Sequence, residues 1–463
     1  MSIVRKLELS IIYPLFGNGK ASHLFPFRMI ALYRVLLPLL AILSLPYYAY
    51  RMIRRGGYAV KFGYRAGLWP KLPAKSKEIT RIWIQAVSVG ELSSLAKLLD
   101  SLLSDPSIEI VLSGTTSTGL KMASTKYGPR LLAHGPFPFD WLPFSRKAWR
   151  RIDPDLAILV DSELWPEHFH QAKKRGIPLV IINARLSDRT FARLASPKLS
   201  WAHSLIFPDN LSVIAASERQ HSRWLQLNFP GSRVKISGNL KIDAVDKSLI
   251  HPEKKKDMRQ ELGFSENTLV LAGVSTWSGE EKLLIEMVQS LRLEKIDIKL
   301  LIIPRHAERR HEIQRVLKTS GLPHHLRSIS HKSQDDSIAY LADTTGEVMS
   351  LLQSADFAFM GKSLPPHHGG QNPIEPVALN LPLVMGPNHQ NFRETCAELL
   401  AHEALLIGQN TTETNSHLLK LARESKLRDA MQKNCQSWMQ KQGTPSEFTL
   451  SYLYDIIKSL DKN

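Results

Sequence analysis

The chain of 463 residues contains only two cysteines, Cys396 and Cys435. That scarcity leaves no disulfide framework and no cysteine-based zinc cluster, and it fits a reducing compartment. The histidines never fall at His-x-x-x-His spacing. The pair His367-His368 reads as a solvated loop dipeptide, so no metal is expected. No Gly-x-Ser-x-Gly elbow is present, which removes the basis for a serine hydrolase built on that turn. The run "GKS" at 361–363 lacks the upstream glycine spacing of a P-loop. Repeats and low-complexity tracts are also missing. What remains, 43% hydrophobic and 22% charged residues, is the composition of a globular protein with a substantial core. The length predicts two or three domains.

Acidic residues are scarce in one region. Residues 1–78 hold thirteen Lys and Arg but only Glu8 and Glu78, so this segment carries +11 of the net +17. A positive excess so confined argues against nucleic acid and for an anionic membrane surface as partner. The same segment contains "VLLPLLAILSLPYYAY", Val35–Tyr50, sixteen residues without a charge. A spanning helix needs about 20 apolar residues, a length reached by including Met29–Tyr33 and Arg34. Tyr47, Tyr48 and Tyr50, then Arg51, Arg54 and Arg55, form the pattern of an aromatic belt followed by cytoplasmic positive charge. Pro38 and Pro46 predict a kink, which keeps a shallow one-leaflet insertion open beside a full span. No small-residue cleavage site follows, so the stretch reads as a retained anchor. Residues 1–78, hydrophobic at 29–50, are therefore expected to be an extension and membrane anchor, with the remainder on the cytoplasmic face.

From Ile79 onward, short apolar runs alternate with helical patterns. Strands are expected at Ile82–Val87, Ile108–Leu112, Leu156–Val160, Leu179–Ile182, Val213–Ala216 and Val234–Ile236, and helices near Leu92–Leu103, Leu120–Lys126, Pro166–Arg175 and Glu218–Leu227. The plan repeats with strands at Leu269–Val274, Lys299–Ile303, Ile338–Leu341, Phe357–Phe359 and Leu383–Met385. Such alternation predicts an α/β protein with mostly parallel sheets covered on both faces. The polar stretch "DKSLIHPEKKKDMRQELGFSEN" puts the boundary near Ile250. Two Rossmann-like, doubly wound domains follow, at 79–250 and at 251–463 with C-terminal helices. Ligands of such folds bind where the carboxyl ends of strands open, here expected between the two domains.

Several of those strand ends carry polar residues. "SVGE" puts Glu91 in the first turn of a helix, where a carboxylate complements the dipole by about 0.3–1 kcal/mol. The same position sets a base at the rim of an open sheet. "LSGTTSTG" is a small-residue loop that offers backbone N–H groups to an anion or serves as a capped turn. "LVDSELWP" brings Asp161 and Glu163, "IINARLS" brings Asn183 and Arg185, and "SGNLKID" brings Lys241. In the second half, "LIIPRHAER" carries Arg305 and His306, and the arginine fork suits phosphate. "LADTTGEV" reads as a strand, a glycine turn and a helix N-terminus that favours phosphate. In "GGQNPIEP", Glu375 lies in the first turn of a short helix begun at Pro373, where a carboxylate accepts from sugar hydroxyls.

Taken together, "QAVSVGE", "GTTSTG", "DSELWP", "NARLS", "GNLKID", "STWSGEE", "PRHAER", "DTTGE" and "GGQNPIEP" follow the order found in the 3-deoxy-D-manno-octulosonic acid (Kdo) transferases. One motif alone is weak; nine in order are specific, and the resemblance runs from the anchor to about Leu400. It implies the two-domain GT-B glycosyltransferase fold and association with the cell inner membrane. It also implies inverting transfer of Kdo from CMP-Kdo to a lipid A precursor (lipid IVA) in lipopolysaccharide core biosynthesis, with no cofactor or metal beyond the donor. Glu91 then matches the proton acceptor, and Glu163 and Lys241 match stabilisers of the transition state. Donor (CMP) contacts map to Pro304, Arg305, Thr345, Gly346, Glu347, Asn372, Pro373, Ile374 and Glu375. Arg51, Arg54, Arg55 and Arg65 either attract the acceptor's phosphates or fix topology.

Three positions depart from the resemblance. Trp277 stands where His is usual, with Ser278 after it; Lys362 stands for Gly and Gln371 for His. Two alternatives follow: a heptosyl- or sialyl-type transferase of the same fold, or an inactive membrane-bound scaffold. Binding of CMP against UDP or ADP separates the first, and the intact Glu91, Arg305 and Glu375 weigh against the second.

Overall fold

The structure, a computed structural model, describes residues 25–55, 60–86, 88–161, 163–243, 245 and 252–460. Val87 and Ser162, and the side chains of Tyr48, Arg51, Arg54 and Arg55, lie outside the described residues. The chain divides into two compact units, Met1–Ala244 with Thr444–Asn463, and Val245–Gly443.

In the first unit, β1 (Thr80–Gln85), β2 (Ile108–Gly114), β3 (Ala133–Pro136), β4 (Leu156–Val160), β5 (Leu179–Ala184), β6 (Leu211–Ala215) and β7 (Val234–Ile236) form one sheet. Its order is β3-β2-β1-β4-β5-β6-β7, and every pairing is parallel. Successive side chains of a strand point to opposite faces. Ile82 and Ile84 accordingly join one core with Ile110, Leu112, Ile158 and Val160. Trp83 between them joins the other, with Val111, Trp149 and Leu159. Burial on both faces explains why these strands read as continuous apolar runs.

The second unit repeats the architecture with β8 (Leu269–Thr276), β9 (Ile298–Pro304), β10 (His324–Leu326), β11 (Ala339–Leu341), β12 (Phe357–Met360), β13 (Leu383–Met385) and β14 (Leu405–Ile407). The order is β10-β11-β9-β8-β12-β13-β14, again all parallel. Strand order reverses between β1 and β4 in one sheet and between β8 and β12 in the other. These are the topological switch points at which open α/β sheets bind ligands.

Three differences from the expected elements have physical reasons. Strands β3, β10 and β14 were not anticipated: "AHGP" and "HHL" hold no apolar run, and each is ordered by the strand it pairs with. The expected helix Leu92–Leu103 is two, Val89–Ser94 and Ala96–Leu103. The last helix, Pro445–Leu460, belongs to the first unit and not to a domain reaching 463. Its Leu453 and Ile457 enter the first unit's core, and the Tyr454 hydroxyl donates to Asp105 at 2.8 Å. An amphipathic pattern announces a buried face without saying which core receives it.

The N-terminal helix Phe25–Arg55 runs unbroken through Pro38 and Pro46. Its stretch Met29–Tyr47 is long and apolar enough to cross a membrane by length and composition. One side is docked: Met29, Ile30 and Leu40 are buried. The other leaves Val35, Leu39, Ile42, Leu43 (77% exposed) and Leu45 in the open.

Candidate active site

The first unit's switch point gathers the polar residues that follow β1, β4 and β5. Glu91 sits in the first turn of Val89–Ser94, whose N-cap is Ser88. The Ser88 hydroxyl accepts from the Glu91 N–H at 3.4 Å and donates to the Glu91 carboxylate at 3.3 Å. Ser88 therefore caps the helix, while the Glu91 carboxylate lies in its first turn with its side chain half-buried rather than packed away. Gly119 allows the neighbouring loop to close on this turn: a Cβ there would sit 2.9 Å from Thr116 Oγ1 and 3.3 Å from the Ser88 carbonyl carbon. Thr116 caps that loop's helix by accepting from Gly119 N–H, so "GTTSTG" is a capped turn braced against the Glu91 turn.

Lys241 joins the same neighbourhood. Burial lowers its pKa, Arg185 lowers it further, and Asp161 and Glu91 pull it back. Glu91, Asp161, Arg185 and Lys241 thus share one electrostatic site. Asn183 assembles it, with φ 51° and no exposed surface. Its Nδ2 donates to Asp161 at 2.6 Å and its Oδ1 accepts from the Leu240 N–H at 3.1 Å, fixing the turn that carries Lys241. Nothing in the sequence marked Asn183 beyond its place after a strand. Glu163 is 6% exposed and accepts from the Trp165 indole N–H at 2.6 Å. Arg65, considered for acceptor phosphates, is 8% exposed and donates to the Thr115 carbonyl at 2.8 Å, so it braces the loop instead.

In the second unit the expected donor residues come at or after the ends of β9, β11 and β12. Pro304 ends β9, and Arg305 follows it with its side chain exposed. Glu375 is largely buried, which raises its pKa, while Asn372 and Arg305 act against that shift. Asn372 donates to Glu375 at 3.2 Å, and its Oδ1 accepts from Ile374 N–H at 3.2 Å. Pro373 is the N-cap of the short helix Ile374–Ala378. Ile374 is fully buried. After β11, Thr345 and Gly346 are exposed. Glu347 accepts from Arg327 at 2.6 Å, which lowers its pKa. The helix it begins, Val348–Leu352, has only five residues. Glu347 thus places a carboxylate, paired with Arg327, at the head of this short helix.

The "GKS" turn has its own anion. The Glu280 carboxylate accepts from the backbone N–H groups of Trp277 (2.8 Å), Lys362 (2.8 Å), Ser363 (3.0 Å) and Leu364 (3.2 Å). A side chain of the protein occupies what a P-loop would offer to phosphate. His367, expected in solvent, has Nε2 2.7 Å from the Ser278 carbonyl. Both cysteines are buried, and burial pushes each thiol up to about 12, far from the reactive range. An open depression of about 650 Å³ lined by Lys75, Asp155 and Arg175 lies at the amino ends of the first sheet's strands. It includes none of the strand-end residues described above.

Two doubly wound units, each built on a seven-stranded parallel sheet, define an α/β fold of the GT-B type. A UDP-GlcNAc 2-epimerase from Neisseria meningitidis, solved with UDP-GlcNAc, has this fold: TM-score 0.53 at 14% identity, covering 81% of this chain and all of that one. Residues 60–244 match the family described as 3-Deoxy-D-manno-octulosonic-acid transferase (kdotransferase). The 3-deoxy-D-manno-octulosonic acid transferase of Haemophilus influenzae is 31% identical over 349 residues, 74% of this chain and 79% of the relative. That of Bordetella pertussis is 27% identical over 81% of this chain and 87% of its own. The chain belongs to the Kdo transferase family.

Proposed function

We propose that the protein transfers Kdo from CMP-Kdo to a lipid A precursor at the cytoplasmic face of the inner membrane, with inversion at the anomeric carbon. The observation that carries the reading is the placing of Glu91, Asp161 and Arg185 after β1, β4 and β5 around the first sheet's switch point, with the turn that carries Lys241 tied to Asp161 through Asn183. Glu91 takes the proton of an acceptor sugar hydroxyl as its oxygen bonds to the anomeric carbon. The bond from that carbon to the CMP phosphate oxygen breaks on the opposite face, and CMP leaves with the electron pair. A positioned base contributes about 10²–10⁴-fold.

Lys241 supports the growing negative charge, and Glu163, held by the Trp165 indole N–H, is the second stabiliser of the transition state. The second unit holds the donor: Arg305 meets the departing phosphate, and Glu347 and Glu375 accept from hydroxyl groups. CMP bears one phosphate, which protein cations neutralise without a divalent ion. The exposed apolar side of Phe25–Arg55 keeps the enzyme on the surface where an acylated acceptor resides.

The test is mass spectrometry of products from purified protein, CMP-Kdo and a tetra-acylated lipid A precursor. A mass increase of one or more Kdo units is expected. Transfer from UDP- or ADP-linked sugars instead would sink the reading in favour of another transferase, and no product with any donor would favour a scaffold.

A further inference from the structure

We propose that Lys362, seated on Trp277, is a donor-binding cation that takes an anionic oxygen of the nucleotide sugar; the inference rests on the donor reading above. Trp277 follows β8 and Lys362 follows β12, the two strands flanking the second sheet's switch point. The Lys362 ammonium lies 4.7 Å from the centre of the Trp277 ring, within the range of a cation–π contact. His306 and His367 flank the same indole at 5.5 and 5.4 Å.

The backbone beneath is pinned. Lys362 has φ 59°, a conformation that is uncommon for a residue other than glycine. Its N–H is held by Glu280, and its carbonyl accepts from Gly370 N–H at 3.1 Å. Gly361 lets this turn press on the end of β8, since a Cβ would lie 2.4 Å from the Ser275 carbonyl oxygen.

The nearby carboxylates are already engaged. Glu280 accepts four backbone N–H groups, and Glu281 and Glu312 both bind Arg309. Among the described residues neither Lys362 nor Arg305, on the adjacent strand end, is in a salt bridge. Arg305 acts on the Glu375 carboxylate; Lys362, held on the Trp277 indole without a salt bridge among the described residues, calls for an anion. A lysine already ordered on an indole loses less side-chain freedom when it binds one. The donor supplies two candidates of the same chemistry, the phosphodiester and the sugar carboxylate.

The test uses the full chain in detergent, comparing wild type with Lys362→Met and Lys362→Arg. Dissociation constants for CMP and cytidine and the KM for CMP-Kdo are measured. Methionine is as unbranched as lysine, so the backbone cost at this φ is unchanged, and thermal unfolding checks the fold. Lys362→Met is expected to weaken donor binding about tenfold, with Lys362→Arg restoring most of it. Weaker CMP binding with cytidine unchanged identifies the phosphate. Unchanged CMP binding with a raised KM for CMP-Kdo identifies the carboxylate. Equal constants in wild type and Lys362→Met overturn the inference alone. A wild type that binds neither CMP nor CMP-Kdo overturns the donor reading and this inference with it.

Discussion

Arg34 grips the buried carboxylate of Glu167 with two hydrogen bonds, 2.7 Å from Nε and 3.0 Å from Nη2. The pair ties the apolar N-terminal helix to the first turn of Pro166–Arg175, directly behind the Trp165–Glu163 contact. Beside it, Tyr33 donates to Asp140 at 2.6 Å. Asp140 in turn accepts from the N–H groups of Glu167 and His168, capping a helix whose own N-cap residue, Trp165, offers no side-chain bond. The N-terminal helix is thus keyed to the scaffold of the candidate site.

Arg34→Met is expected to destabilise the protein by about 3 kcal/mol, because Glu167, with none of its side chain exposed, keeps a charge without its partner. The double variant Arg34→Met with Glu167→Gln removes both charges and should recover most of that loss. Denaturant unfolding of the four proteins in detergent measures the coupling. Additive losses would show that the pair is not a unit.

Glu91→Gln keeps the side-chain size and an acceptor for the Ser88 hydroxyl while removing the base. Transfer should fall about 10²–10⁴-fold in kcat, with KM for the acceptor and thermal stability close to wild type. A variant that folds normally and turns over at the wild-type rate would rule out proton abstraction by this residue.

How much of this was readable in the sequence follows from what each feature depends on. Glu91, Arg185, Lys241 and Arg305 were found because a doubly wound fold brings the residues after its strands to one edge, and strand ends show as changes from apolar to polar. Asn183 could not be ranked, since its value lies in bridging Asp161 and Leu240, 22 and 57 positions away. The Arg34–Glu167 pair spans 133 residues, and no local pattern encodes such a partner. The contact of Lys362 with Trp277 is equally hidden, although each residue by itself departs from the family pattern. The edge strands β3, β10 and β14 are hidden because runs of three or four residues are too short to show a period.

The position of Lys241 predicts a pH dependence. Its pKa is held below the ordinary 10.5, first by burial and then by Arg185. If its charge supports the transition state, kcat/KM should decline on the alkaline side at a lower pH than a free lysine would give. Lys241→Arg should move that limb upward, since guanidinium stays protonated, and Arg185→Gln should move it upward too by removing a repelling charge. Stability carries the matching sign. Between the lowered value and 10.5 the unfolded chain binds the extra proton, so stability rises with pH across that window. A limb unmoved by either substitution would assign the titration to another group.

Glu280 offers the last test, because one carboxylate holds together the loops after β8 and β12. Glu280→Gln leaves one oxygen to accept and turns an N–H₂ group toward backbone donors, so at least one of the four bonds is lost and another contact becomes repulsive. Bonds to a charged acceptor are worth about 1.5–3 kcal/mol each, and a loss of about 3 kcal/mol or more is expected. Disorder should concentrate at the turn that carries Lys362. Amide hydrogen exchange at Lys362, Ser363 and Leu364 should accelerate well beyond that of β9 and β11 residues in the same sheet. If the whole unit instead exchanges faster by a uniform factor, Glu280 stabilises the fold in general and does not specifically hold the Trp277–Lys362 contact in place.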